Sequence, residues 1–258
     1  MAKNNISNDK VKKILIRADD LGYSEAVNYG IEKTIKDGLV KSVGMMTNMP
    51  AANHGFNLIK EYNICLGQHT NICVGKPVSD PKLIPSLVNE NGQFKASSNY
   101  RNSNEDIVDL DEVIIEIEAQ YKRFIELTGD KPRYLDGHAI KSENFFKGLE
   151  IVAKKYRLKY SGLTFGEIPM LVGNTNVYVH IVTSSEQKSI DPLIEAVEHN
   201  HIGDCDMVIT HPGYIDAFIL ENSSVNIPRV YEVEMLCDIK TKEYLEENNI
   251  SLITYDDL

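Results

Sequence analysis

Two adjacent carboxylates, Asp19 and Asp20, follow the apolar run Ile14-Leu15-Ile16 and precede Leu21-Gly22, where a buried strand gives way to a loop. In α/β enzymes the chemistry gathers at such junctions. Neighbours on an extended chain point to opposite sides. The pair can therefore divide its work only if the backbone turns there, one carboxylate holding a metal and the other handling a proton. Helix capping is the plain alternative, because Asp favours helix starts. Ser24 removes that need: Ser24-Glu25-Ala26-Val27 opens a helix with its own cap, Val27, Ile31 and Ile35 keep helical spacing, and Gly38 stops it.

Other polar groups stand at equivalent places. His69 ends Ile64-Cys65-Leu66-Gly67-Gln68, Asp136 and His138 follow Tyr134-Leu135, and His211 follows Met207-Val208-Ile209-Thr210. In a parallel barrel all strand C-termini lie on one face, so these residues would converge. One carboxylate and two imidazoles make an open-sided set for a catalytic divalent ion, and Asp20, His69 and His138 are the candidates. The turn His211-Pro212-Gly213-Tyr214 presents His211 to the same cleft, where an imidazole free of metal can donate a proton while Asp19 acts as base. His54, His180, His199 and His201 are read as surface or core residues, His180 because it alternates with apolar residues within a strand.

The elements that must position these groups alternate along the chain. Strands are predicted at 13–18, 42–47, 64–69, 133–136, 177–182, 207–210 and 251–255. Helices are predicted from Ser24, at 51–62, 111–127, 145–156 and 190–199, the third carrying Val113, Ile114, Ile117, Tyr121, Phe124 and Ile125 on one face and ending at Gly129. This order argues for an α/β fold, a mostly parallel sheet closed or nearly closed into a barrel, in a single domain spanning 1–258. The stretch 71–105, with Gly75, Pro77, Pro81, Pro85 and the turn signal Asn91-Gly92, is too long for a plain connector and is expected to form a lid or substrate wall.

Composition narrows the function classes. The 258 residues hold 27 Lys and Arg against 38 Asp and Glu, a formal charge of −11 that would repel a nucleic-acid backbone. The polar start and the lack of a long apolar run predict a cytoplasmic protein with no membrane partner. Cys65, Cys73, Cys205 and Cys237 lack the short paired spacing of a zinc or redox motif and are read as reduced thiols.

Ala18-Asp19-Asp20-Leu21-Gly22, Val27-Asn28-Tyr29-Gly30-Ile31, Gly67-Gln68-His69, Gly75-Lys76-Pro77-Val78, Leu135-Asp136-Gly137-His138, His211-Pro212-Gly213-Tyr214, Pro228-Arg229 and the closing Ile250-Ser251-Leu252-Ile253 together resemble the YdjC-like carbohydrate deacetylases, which include chitooligosaccharide deacetylases. The resemblance implies a distorted TIM-like (β/α) barrel and removal of N-acetyl groups from small amino-sugar oligosaccharides such as diacetylchitobiose or its phosphate. It implies a divalent metal, usually described as magnesium, on Asp20, His69 and His138, with Asp19 as base and His211 as proton donor. Zinc or another transition metal suits the same ligands. This chain has Ile140 and Ser142 where members often carry further histidines, and Thr70-Asn71-Ile72 where they tend to carry leucines. A homodimer is expected by analogy with other barrels. Two other functions remain open: a metal-dependent sugar-phosphate hydrolase or isomerase, with Lys76 and Arg229 gripping a phosphate, and a sugar-binding protein without catalysis.

Overall fold

The computed structural model describes residues 12–162, 164, 167–182, 190–198 and 201–258. The chain runs β1 (Lys12–Leu21), α1 (Glu25–Lys36), β2 (Ser42–Met45), α2 (Ala52–Ile59), β3 (Cys65–Thr70), α3 (Ser97–Arg101), α4 (Leu110–Thr128), β4 (Tyr134–Gly137) and α5 (Glu143–Tyr156). It continues through β5 (Lys159–Tyr160), β6 (Met170–Val172), β7 (Thr175–Ile181), α6 (Asp191–Glu198), β8 (Cys205–Thr210), α7 (Ala217–Asn222), α8 (Ile227–Cys237), α9 (Ile239–Glu247) and β9 (Ile250–Ile253).

Among the described residues the strands form one sheet in the order β5-β4-β3-β2-β1-β8-β7-β6, parallel except for the β6–β7 hairpin, curled into a nearly closed barrel with helices around it. The long central strand β1 has three neighbours. It pairs with β8 through Ile14–Ala18, with β9 through Lys12–Leu15 and with β2 from Arg17 onward. Because β8 occupies one edge along the shared residues, β9 and β2 must follow one another along the other edge.

Alternation along β1 sorts its side chains. Leu15 points into the barrel with Tyr134, Met207 and Tyr255. Ile14, Ile16 and Ala18 point outward to Val27 and Ile31 of α1. Each such aliphatic side chain, fully buried, contributes about 1.5–3 kcal/mol before entropy is counted. Arg17 and Asp19 continue the inward row, so the barrel interior turns polar toward its C-terminal end.

Local signals act at several helix ends, as expected at Ser24 and Gly129. The Ser24 hydroxyl accepts from the Val27 N–H at 3.2 Å, Asp109 caps α4, and Gly129 ends that helix with φ +80°. The structure differs from the sequence reading in several features. On α4, Ile125 lies at the surface, while Glu116 and Gln120 are buried because they receive the 71–105 segment. The Glu116 carboxylate accepts from the Val78 and Ser79 N–H groups, and Gln120 exchanges hydrogen bonds with Asn71. That segment packs Ile84, Leu87, Phe94 and Tyr100 into an apolar cluster with Val113 and Ile117. The helices of 217–247 and the short strands β5 and β6 were not anticipated. The predicted helix 190–199 is described over Asp191–Glu198, and His199 lies outside the described residues.

Candidate active site

A cavity of about 1070 Å³ opens at the C-terminal ends of the strands and is lined by Asp19, Asp20, His69, His138 and His211, all five sequence candidates. The strand does not end before the Asp pair. Instead the β1–β2 register slips between Ala18 and Leu21, and Asp20 takes a left-handed φ of +77°. A regular strand would send Asp20 outward after Asp19; the irregularity turns both carboxylates to the cavity. The conformation costs about 1–2 kcal/mol for a residue with a Cβ, and the bond from the Arg229 guanidinium to Asp20 Oδ2, at 2.7 Å, holds it.

Three ligand atoms meet above this turn. His138 Nδ1 lies 3.0 Å and His69 Nε2 3.4 Å from Asp20 Oδ1, and the two ring nitrogens stand 3.1 Å apart. On its other side His69 Nδ1 donates to Asp136 Oδ2 at 2.8 Å, which leaves the lone pair of a neutral ring on Nε2, facing the group. Carboxylates oriented in this way commonly set the tautomer of metal-binding histidines. Asp20 Oδ1 is fully buried yet receives no hydrogen bond of good geometry. An orphaned carboxylate oxygen between two imidazole nitrogens fits a divalent cation. Gly44 on β2 leaves the room, since a Cβ there would lie 3.0 Å from both Asp19 Oδ1 and His69 Cβ.

The charges are arranged for a cation. Burial works to raise the Asp20 pKa, but Arg229 and then His138 outweigh it and hold the carboxyl well below its usual range. Burial would discharge His138, yet Asp20 overcomes it and the ring rises to about 9. His69 is driven well above its ordinary value by Asp136 and Asp19 against the same burial. Without metal the two imidazoles therefore carry as protons the positive charge that a divalent ion would supply.

Around this core lies a buried ion network. The Arg17 guanidinium reaches Asp19 through Nε (2.7 Å to Oδ1) and a terminal nitrogen (2.8 Å to Oδ2), Asp136 at 2.8 Å and the Tyr255 hydroxyl at 2.8 Å. His211, after β8, is set by its backbone: its N–H donates to Glu232 and its carbonyl accepts from Arg229 at 3.4 Å. Burial pushes the His211 ring down to about 4, with Asp20 and Asp19 opposing.

The remaining candidates take other positions. Arg229 is buried and committed to Asp20, so it is no phosphate grip, and Lys76 is exposed outside the cavity wall. His54 pairs with Asn28 at 3.1 Å, and His180 and His201 contact Asp206 away from the cavity. Arg17 and Glu232 were missed in the sequence. Arg17 was findable, because it lies two residues before Asp19 in a strand and so on the same face; Glu232 gives no local signal.

The family model described as YdjC-like protein matches residues 13–247. The chain belongs to the YdjC-like family. This YdjC-like protein is 32% identical to a carbohydrate deacetylase 2 of Listeria innocua over 95% of its length and 98% of that protein. It is 33% identical to a carbohydrate deacetylase of Geobacillus stearothermophilus, covering 93% and 96% of the two chains. A crystal structure from Enterococcus faecalis, named as a candidate cellobiose-phosphate cleavage protein, superposes with a TM-score of 0.84 at 26% identity over 96% of this chain and 98% of that one. A family 4 acetyl xylan esterase of Clostridium thermocellum shares the fold alone, with a TM-score of 0.52 at 10% identity over 95% and 89% of the chains. Among the described residues no helix is long and apolar enough to cross a membrane.

Proposed function

We propose that this YdjC-like protein is a metal-dependent carbohydrate deacetylase that hydrolyses the acetamide C–N bond of small N-acetylated amino sugars. The observation that carries this reading is the buried Asp20–His69–His138 group with Asp19 and His211 on the same cavity wall. The names of the relatives supply the substrate class.

Asp20, His69 and His138 would hold the ion. Bound there, a divalent metal lowers the pKa of a water toward about 7 and polarises an acyl oxygen. Asp19, steadied by Arg17 at both oxygens, takes the proton of the attacking water. The hydroxide oxygen bonds to the acetyl carbon, giving a tetrahedral oxyanion. His211 is neutral at rest, and as negative charge develops beside it the proton that Asp19 took from the water passes to its ring, leaving Asp19 ionised again. His211 delivers that proton to the sugar nitrogen as the C–N bond breaks, and acetate and a free amine leave. Magnesium is the expected ion from the resemblance, although two imidazoles favour zinc and its neighbours chemically.

The segment 71–105 contributes Ser97 and Arg101 to the cavity wall, which supports a substrate-wall role. Arg101 and Lys141 share the wall with Glu143 and Glu150, so its charge is mixed, and diacetylchitobiose and its phosphate are the two substrates to compare. Acetate release from each, by metal-stripped protein with and without added magnesium or zinc, tests the reading. Metal-dependent release is expected, and Asp19→Asn should keep metal while losing turnover by at least 100-fold. Release from neither sugar under any metal would overturn it.

A further inference from the structure

A second group of metal-ligating side chains lies on the opposite face of the sheet from the cavity. His180 Nε2 and His201 Nδ1 each stand 2.8 Å from one oxygen, Oδ1 of Asp206. Ile181 of β7 and Ile209 of β8 line the cavity. Alternation therefore turns His180, Val208 and Asp206 to the outer layer, where Val208 joins Ile14 and Leu193. His201 comes from the connection between α6 and β8. Its ring lies flat on Tyr178, with 3.4 Å between centroids and 2° between planes, which fixes how its nitrogens aim.

Two imidazole nitrogens and a carboxylate oxygen, all within 4.8 Å of one another, match the ligand set of zinc and similar borderline ions. The side chains of His180 and His201 are 16% and 21% exposed and that of Asp206 is 9% exposed, so the group is anchored on its more deeply buried acid. Tetrahedral ligands at about 2.0 Å from zinc stand about 3.3 Å apart. The two contacts to Asp206 would open by about 0.5 Å, within the reach of small side-chain rotations. We propose that His180, His201 and Asp206 form a second, non-catalytic transition-metal site that ties the α6–β8 connection to the sheet.

Zinc titration of metal-free protein by calorimetry, with bound metal counted by elemental analysis after desalting, tests this independently of the cavity. His180→Ala and His201→Ala should each bind one equivalent fewer than the unaltered chain, while Asp20→Asn keeps the equivalent that they lose. Asp206→Asn, which retains a hydrogen-bond acceptor, and His201→Gln serve if the alanine variants do not fold, as judged by circular dichroism. Folded variants that bind as many equivalents as the unaltered chain would overturn the proposal.

Discussion

The metal-ligand role proposed for His69 depends on a neighbour outside the proposed ligand set. Asp136 binds no metal in the proposed arrangement, yet its 2.8 Å bond to His69 Nδ1 decides which His69 nitrogen faces the ion. Losing such an orienting carboxylate typically costs 10–100-fold in metal affinity. Asp136→Asn should therefore weaken zinc binding by about that factor in calorimetry while the fold persists. Proton linkage offers a second check at this scale. His138 rises to about 9 and His69 is also raised, both through neighbouring carboxylates, so at pH 7 the metal-free rings hold protons that an ion must displace. Affinity should increase with pH toward about 9. Calorimetry at pH 7 in buffers of different ionisation enthalpy should show at least one proton released per ion, and an absence of release would contradict the assigned charge states.

Elements place His211, the proposed proton donor, as much as its own strand does. The turn after β8 lies directly against α1. A Cβ on Gly30 would fall 2.4 Å from Gly213 Cα, and the Tyr214 N–H donates to the Ala26 carbonyl at 3.1 Å. The helix backbone thus acts as the floor on which the His211 turn rests. Gly30→Ala must push that turn away, at an overpacking cost of about 1–3 kcal/mol. The expected outcome is a lower Tm with a larger fall in kcat than in metal affinity, because Asp20, His69 and His138 sit on other elements. Equal loss of metal and of turnover would show that α1 supports the whole site instead. The 71–105 segment is held comparably, by Glu116 and Gln120 of α4 and by its own apolar cluster, so it forms a built wall of the cavity.

The whole molecule stores opposed charge inside the barrel, and its stability should follow pH accordingly. His69 and His138 have raised values when folded, so their contribution is full below the unfolded value of about 6.5 and is lost as pH climbs, for His138 through about 9. Asp20 and Asp136 have lowered values, so their contribution holds above about 4 and is lost on acidification. His211, pushed down to about 4, binds its proton more readily when unfolded and removes stability as pH falls from about 6.5. The metal-free protein should therefore melt highest near pH 6–7, and zinc should move that optimum upward because it binds the deprotonated rings. Melting curves from pH 4 to 10, with and without zinc, check both directions.

The sequence by itself determined the residue types and most of the strands that deliver them. Ile14–Ile16 before Asp19 and Asp20, Gln68-His69, Asp136-Gly137-His138 and Thr210-His211 are local patterns, and a parallel barrel needs only local patterns to bring strand ends to one face. Ser24 and Gly129 likewise mark helix ends because a cap is satisfied within a few residues. Tertiary structure alone decided what those groups do to one another. The left-handed turn at Asp20 is stabilised by Arg229, 209 residues away, and Arg17 reaches Tyr255 across 238 residues. Glu116 and Gln120 interrupt an apolar stripe because a distant loop supplies the backbone groups that satisfy them. Pairings of that kind leave no periodicity in the chain, since a buried charge is tolerated by its partner and not by its neighbours in sequence.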